Sequence, residues 1–197
     1  IFMTIGDRDG NTQADYALQL AQKLDNHAGK IIHITADGKP APNNPFLNRP
    51  DALPEIWAYG IRSPQGLALD PRTGALWETE HGPRGGDELN IIRRGANYGW
   101  PIVANGIDYS GVPMGAGITT KEGMEPPVYY WDPVIAPSGL AVYTGKLFPQ
   151  WQGSLLAGGL RAVMLSRLEM KDGKVVAEEP LLSGLKMRIR DVRVGPD

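Results

Sequence analysis

Apolar and polar residues alternate in short runs along most of this chain of 197 residues. IFMTI (1–5) reads as a short apolar strand, and KIIHI (30–34), EIWAY (55–59), GLALD (66–70) and GLAVY (139–143) as further short strands bounded by turn residues. One stretch departs from this period. Residues 11–28 (NTQADYALQLAQKLDNHA) put Tyr16, Leu20 and Leu24 four apart, which predicts a helix ended by Gly29. From residue 55 the strands recur in blocks. EIWAYGIRSPQGLALDPRTGALWETE, SGLAVYTGKLFPQWQGSLLAGGL (138–160) and SRLEMKDGKVVAEEPLL (166–182) each read as strand, glycine-containing turn and strand. The last has its turn at Asp172-Gly173. The chain opens in mid-pattern, and VGPD at its end with IFMT at its start would make one more such unit. The sequence therefore reads as a piece of a repeat. Short antiparallel strands in repeated blocks predict an all-β fold, a β-propeller before a β-sandwich, whose strands should come at more even spacing. Residues 101–130, rich in glycine and proline, predict a long loop. The expectation is a single partial domain over 1–197.

Composition narrows the class. Twenty basic against 22 acidic residues leave a net charge of −2, without the basic excess that nucleic acid would require. No apolar run approaches the ~18 residues of a membrane span. Glycine (25) and proline (17) exceed a fifth of the chain, against an average near 12%, while the hydrophobic share of 42% is ordinary. The surplus thus means turns, not disorder. Without cysteine, disulfides, thiolate catalysis and cysteine-based metal sites are excluded.

Two features carry candidate chemistry. In ETEHGPRGGDELN (78–90) the chain breaks at Gly82-Pro83 and passes through Gly85-Gly86 to Asp87 and Glu88. Such a turn can aim carbonyls inward beside carboxylates, the oxygen donors that Ca²⁺ prefers; an acidic surface turn would read the same way. In MRIRD (187–191), Arg188 and Arg190 share one face of an extended segment, and Arg62 and Arg161 follow strand ends. Four arginines at matching phase suit a flat ligand with several carboxylates, although a solvated face is the plainer reading of any one pair. Of the three histidines, His27 and His33 read as structural and only His81, in the Gly-Pro turn, has functional promise. APSG (136–139) lacks the nucleophile-elbow pattern. WAYG, NYGW and YYW read as packing aromatics.

TIGDR (4–8), YGIRSPQGLA (59–68), ETEHGPRGGDELN (78–90), NYGWP (97–101), WDPVIAPSG (131–139) and RIRDV (188–192) together resemble the soluble pyrroloquinoline-quinone-dependent aldose and glucose dehydrogenases, which are six-bladed propellers. The resemblance extends from end to end and implies about four of the six blades. It implies that the quinone is held by Arg62, Ser63, Tyr109, Val134, Ile135, Ala136, Leu160, Arg161, Arg188 and Arg190. It implies a cofactor-bridging Ca²⁺ on the carbonyls of Gly82 and Pro83, and a structural Ca²⁺ at Glu88 and Tyr98 with Asp87 adjacent. The implied reaction is oxidation of an aldose at C1, hydride passing to the Ca²⁺-bound quinone and on to an electron acceptor, in a periplasmic or secreted protein.

Three departures qualify this. Ile61-Arg62-Ser63 stands where the family has His-Arg-Asn, and Val134 replaces a hydroxyl residue. The family's general-base histidine lies upstream of TIGDR, so no catalytic residue is assigned here. A non-catalytic calcium-binding propeller acting as a binding module is the alternative. A propeller hydrolase using metal-bound water is a weaker one, since no carboxylate-rich central site can be assembled.

Overall fold

The computed structural model describes residues 1–7 and 18–195. The chain forms two compact units, one from Ile1–Pro64, Gly82–Gly86 and Ile92–Pro126, the other from Gln65–His81, Asp87–Ile91 and Pro127–Asp197.

In the first unit, strands β1 (Phe2–Ile5), β2 (Lys30–His33) and β3 (Ile56–Tyr59) make an antiparallel sheet in that order. Thr4 faces Ile31, which faces Ala58 across the ladder. Ile31, Ile56 and Ala58 have no exposed surface, as expected for β-branched and small residues on a covered pleat. At the start of β2, the fully buried Lys30 donates from Nζ to the carbonyls of Leu20 (3.2 Å), Ala21 (3.0 Å) and Ala28 (2.5 Å).

That ammonium accounts for a correction. The helix expected over 11–28 lies partly outside the described residues, and over 18–28 no α-helix forms. Only a 3₁₀ turn is present, Leu20–Gln22, entered through left-handed Gln19 and left through extended Lys23. The carbonyls of Leu20 and Ala21 serve Lys30 as well as other amides, Leu20 O accepting from Lys23 N (3.2 Å) and Ala21 O from Gly60 N (2.9 Å), and a buried ammonium without such acceptors would be far costlier than a lost helical turn. Nearby, Gln22 and Asn97 exchange side-chain hydrogen bonds at 3.0 and 2.8 Å, and the indole of buried Trp100 donates to Asp7 at 2.5 Å.

The second unit contains two four-stranded antiparallel meanders. One is β4 (Pro64–Leu69), β5 (Leu76–Glu80), β6 (Asp87–Ile92) and β7 (Tyr129–Trp131). The other is β8 (Pro137–Val142), β9 (Leu155–Gly159), β10 (Leu165–Lys171) and β11 (Lys174–Leu181). One core joins them: Trp77, Leu89 and Trp131 from the first pack with Leu140, Val142, Leu155, Ala157 and Leu168 from the second. Gly66 permits the approach, because a Cβ there would lie 2.5 Å from Leu140 Cβ and 2.7 Å from the Ser138 carbonyl. Glu178 on β11 ties the sheets further, accepting from Tyr129 Oη and Trp131 Nε1, each at 2.9 Å, and from Ser166 Oγ at 2.6 Å. Burial and this bond to Glu178 push the Tyr129 phenol up to about 12.

Residues 188–195 do not form the expected strand. The segment instead lies along the ends of β8 and β9, with Ile189 N donating to Gly159 O (3.4 Å) and Gly139 N to Arg190 O (3.3 Å). Ser138 Oγ adds a bond to Ile189 O at 2.6 Å. Its side chains still alternate, Arg188 and Arg190 exposed and Ile189 half-buried, so the two-residue spacing keeps its consequence without sheet pairing.

Candidate functional site

In the second unit, Ala136, Leu160, Arg161, Val163 and Arg188 line a recess of about 410 Å³. Four of these five are residues that the family resemblance assigns to the quinone. A wider groove of about 970 Å³ shares Arg161 and runs past Val134, Ile135 and Tyr130. The recess is built by three chain segments converging. Residues 134–136 lead into β8, the 160–163 turn joins β9 to β10, and the 188–190 segment passes along the same strand ends. The first two are bonded to each other: Leu160 N donates to Ala136 O at 2.9 Å, and Arg161 N to Ile135 O at 2.9 Å. Ile135 points its side chain into the core, so within this set it offers only backbone. Ala136 holds φ of +50°, a left-handed conformation that costs an alanine about 1–2 kcal/mol.

The charge pattern is specific. Arg49, Arg72, Arg93, Arg167 and Arg193 are ion-paired with carboxylates, whereas among the described residues Arg161, Arg188 and Arg190 form no ion pair. Exposed guanidiniums beside an apolar wall of Leu160 and Val163 can take a planar ligand's carboxylates in bidentate forks while its ring lies on the aliphatic surface.

In the first unit, Arg62 donates from Nη1 to the Gly82 carbonyl at 3.0 Å and lies over the Trp100 ring, 5.2 Å from its centroid. The arginine assigned to the cofactor and the carbonyl assigned to calcium are thus neighbours. A side chain at residue 82 would run into the carbonyls of Gly85 and Gly86, so the turn does gather main-chain oxygens, and glycine is what lets them approach. Pro83 is buried, Ser63 is half-buried, and Tyr109 lies in the 101–126 loop with half its surface exposed. Ile61 is fully buried, which explains an apolar residue at that position as core.

Tyr98 is buried in the first unit, its hydroxyl accepting from Arg93 N at 2.9 Å. Glu88 lies in the second, half-buried on β6 opposite Tyr130. Among the described residues no cluster of three or more histidine, aspartate or glutamate side chains is placed to hold a metal.

Two partners of the recess were not evident from sequence. Asp87 accepts from Ala136 N through Oδ2 at 2.7 Å, and His81 donates from Nε2 to Pro137 O at 2.7 Å. The sequence placed Asp87 beside a metal because carboxylates after a glycine turn suggest one. Nothing local marks a bond to a residue 49 positions away. His33, read as structural, stacks on Phe2 with ring centroids 4.1 Å apart and bonds Asn44; burial holds its pKa down. His27 meets Glu55 at 2.5 Å.

Three- and four-stranded antiparallel meanders in an all-β chain are the blades of an incomplete β-propeller. The Glucose / Sorbosone dehydrogenase family model matches residues 1–197, and the chain belongs to that family. It is 46% identical over 179 residues to the aldose sugar dehydrogenase YliI of Escherichia coli, covering 90% of this chain and 48% of that protein. A crystal structure of glucose dehydrogenase superposes with a TM-score of 0.90 at 44% identity, covering 99% of this chain and 55% of the other. The PQQ-bound aldose sugar dehydrogenase of Streptomyces coelicolor gives 0.71 at 32% identity, covering 96% and 48%. The chain spans about half the length of the curated relatives it matches. No helix among the described residues is long and apolar enough to cross a membrane.

Proposed function

We propose that this chain carries quinone-binding and calcium-binding elements of a PQQ-dependent aldose sugar dehydrogenase. The observation that carries the reading is the recess where Arg161 and Arg188 stand beside Ala136 and Leu160 without a carboxylate of the protein, among the described residues, to pair them. Arg161, Arg188 and Arg190 supply forks for the carboxylates of the quinone, and Leu160 and Val163 supply an apolar wall that keeps water from its ring. The backbone of 134–136 completes the assigned contacts in this unit, and in the first unit the resemblance assigns Arg62, Ser63 and Tyr109 to the same cofactor. The Gly82 and Pro83 carbonyls are assigned to a bridging Ca²⁺, and Glu88 and Tyr98 to a structural one. When bound, the Ca²⁺-polarised quinone supplies the hydride acceptor for oxidation of an aldose at C1. An aldose as substrate, an external electron acceptor and a periplasmic or secreted location follow from the same reading.

Calorimetric titration of the chain with pyrroloquinoline quinone, in the presence and absence of Ca²⁺, tests it. Saturable binding of the quinone that strengthens with Ca²⁺ is expected. Binding of Ca²⁺ alone, with no response to the quinone, would move the assignment to a calcium-bearing binding module.

A further inference from the structure

We infer that Asp87 is a positioning residue for the quinone. It acts by holding Ala136 in the left-handed conformation that shapes the recess, not by binding a metal. This rests on the quinone reading above.

Among the recess residues, Ala136 combines a strained backbone with restraints from several directions. Its φ is +50°, which an alanine abandons unless neighbours over-determine it. Asp87 Oδ2 takes its N–H at 2.7 Å, and its own carbonyl takes Leu160 N–H at 2.9 Å. On the following residue, His81 Nε2 fixes the Pro137 carbonyl at 2.7 Å. Of these restraints Asp87 is the one that brings a carboxylate, and a charge-assisted bond to a backbone amide is about twice as strong as a neutral one. Asp87 is 1% exposed, so water cannot easily replace it. It is also held rigidly at the start of β6, opposite Trp131 in the ladder. Leu160 and Arg161 hang on the carbonyls of Ala136 and Ile135, so the conformation of residue 136 also sets where Arg161 leaves the recess wall. A relaxed Ala136 would therefore cost the site both a backbone contact and the aim of a guanidinium.

The test uses Asp87→Ala, Asp87→Asn, Ala136→Gly and the double variant Asp87→Ala/Ala136→Gly. Two readouts are taken: amide hydrogen exchange at 135–137 without quinone, and quinone affinity by titration. Asp87→Ala should release protection at Ala136 while β5 and β8 stay protected, and should weaken the quinone by about tenfold, the size of one left-handed alanine. Asp87→Asn keeps an acceptor oxygen and should recover most of both. Glycine reaches positive φ without strain, so Asp87→Ala should cost several-fold less affinity in the Ala136→Gly background than in the parent. Unchanged exchange at Ala136 in Asp87→Ala, or equal affinity losses in the two backgrounds, would overturn the inference. Should the parent chain ignore the quinone while Asp87→Ala still frees Ala136, the quinone reading falls and the grip on the loop stands. Were Asp87→Ala to unfold, Asp87→Asn still decides the matter through exchange at 135–137: protection at Ala136 must be retained, and its loss with β5 and β8 still protected would overturn the inference.

Discussion

Glu78 in the second unit is wholly buried beside Glu80, and its titration should be visible in the stability of the protein. Asn90 Nδ2 donates to Glu78 Oε2 at 3.2 Å and to Glu80 Oε1 at 3.3 Å, while Glu78 Oε1 and Asn90 Oδ1 have no partner. Burial first, then the charges of Glu80 on its own strand and Glu88 on β6, push the Glu78 carboxyl well above its ordinary 4.5, although the Asn90 bond opposes this. Because the folded pKa is raised, the stability tied to this proton is fully present below about pH 4.5. It is lost as pH rises through the folded value, at about 1.4 kcal/mol per pH unit across the window. Glu78→Gln is isosteric, carries a permanent donor, and removes that dependence. Urea unfolding of parent and variant at steps between about pH 5 and pH 8 should therefore give curves that diverge. The variant should gain on the parent by about 1.4 kcal/mol for each unit until the folded pKa is passed. Parallel curves would refute a raised Glu78, and a variant losing ground as pH rises would reverse the sign of the argument.

Other consequences are equally direct. Lys30→Met should lower stability by about 1–3 kcal/mol through its lost hydrogen bonds to the carbonyls of Leu20, Ala21 and Ala28, read as a fall in the unfolding midpoint with β2 exchange protection lost first. Gly139→Ala should detach the 189–192 segment, since its Cβ would lie 2.6 Å from Val192 N and collide with Asp191; quinone affinity should drop while the core signal from Trp77 and Trp131 stays. Glu178→Ala strands the buried Trp131 indole and should cost about 1 kcal/mol by thermal melting, with the Tyr129 phenol returning toward its usual pKa near 10 in spectrophotometric titration. Arg190→Ala should weaken the quinone by a few kcal/mol if it faces a carboxylate, and unchanged affinity would remove it from the site.

The sheets were legible wherever one face of a strand is buried and the other is not. IWAY became β3, the DPRTG turn joined β4 to β5, and Asp172-Gly173 closed β10 and β11, because period-two patterning and glycine turns act locally. Over the described 18–28 the helical spacing misled, because four-residue apolar spacing says nothing about a lysine at position 30 that bonds the carbonyls of Leu20 and Ala21. The 188–195 segment kept its alternation without a ladder, since pairing depends on a neighbouring strand and not on the segment itself. Recess residues Arg161, Arg188, Leu160 and Ala136 were reachable from motifs spread along the chain. The grip on Ala136 was not, because alanine gives no sign of a left-handed backbone and Asp87 is adjacent only in space.

The central claim is that the arginine recess binds a carboxylated quinone, and a titration of the chain and its Arg161→Ala/Arg188→Ala variant with pyrroloquinoline quinone in saturating Ca²⁺ tests it most directly. The account predicts saturable binding to the parent and a loss of at least about 100-fold in the variant, as removal of two charge-assisted partners implies. Equal affinity for both, with the variant still folded, would contradict it.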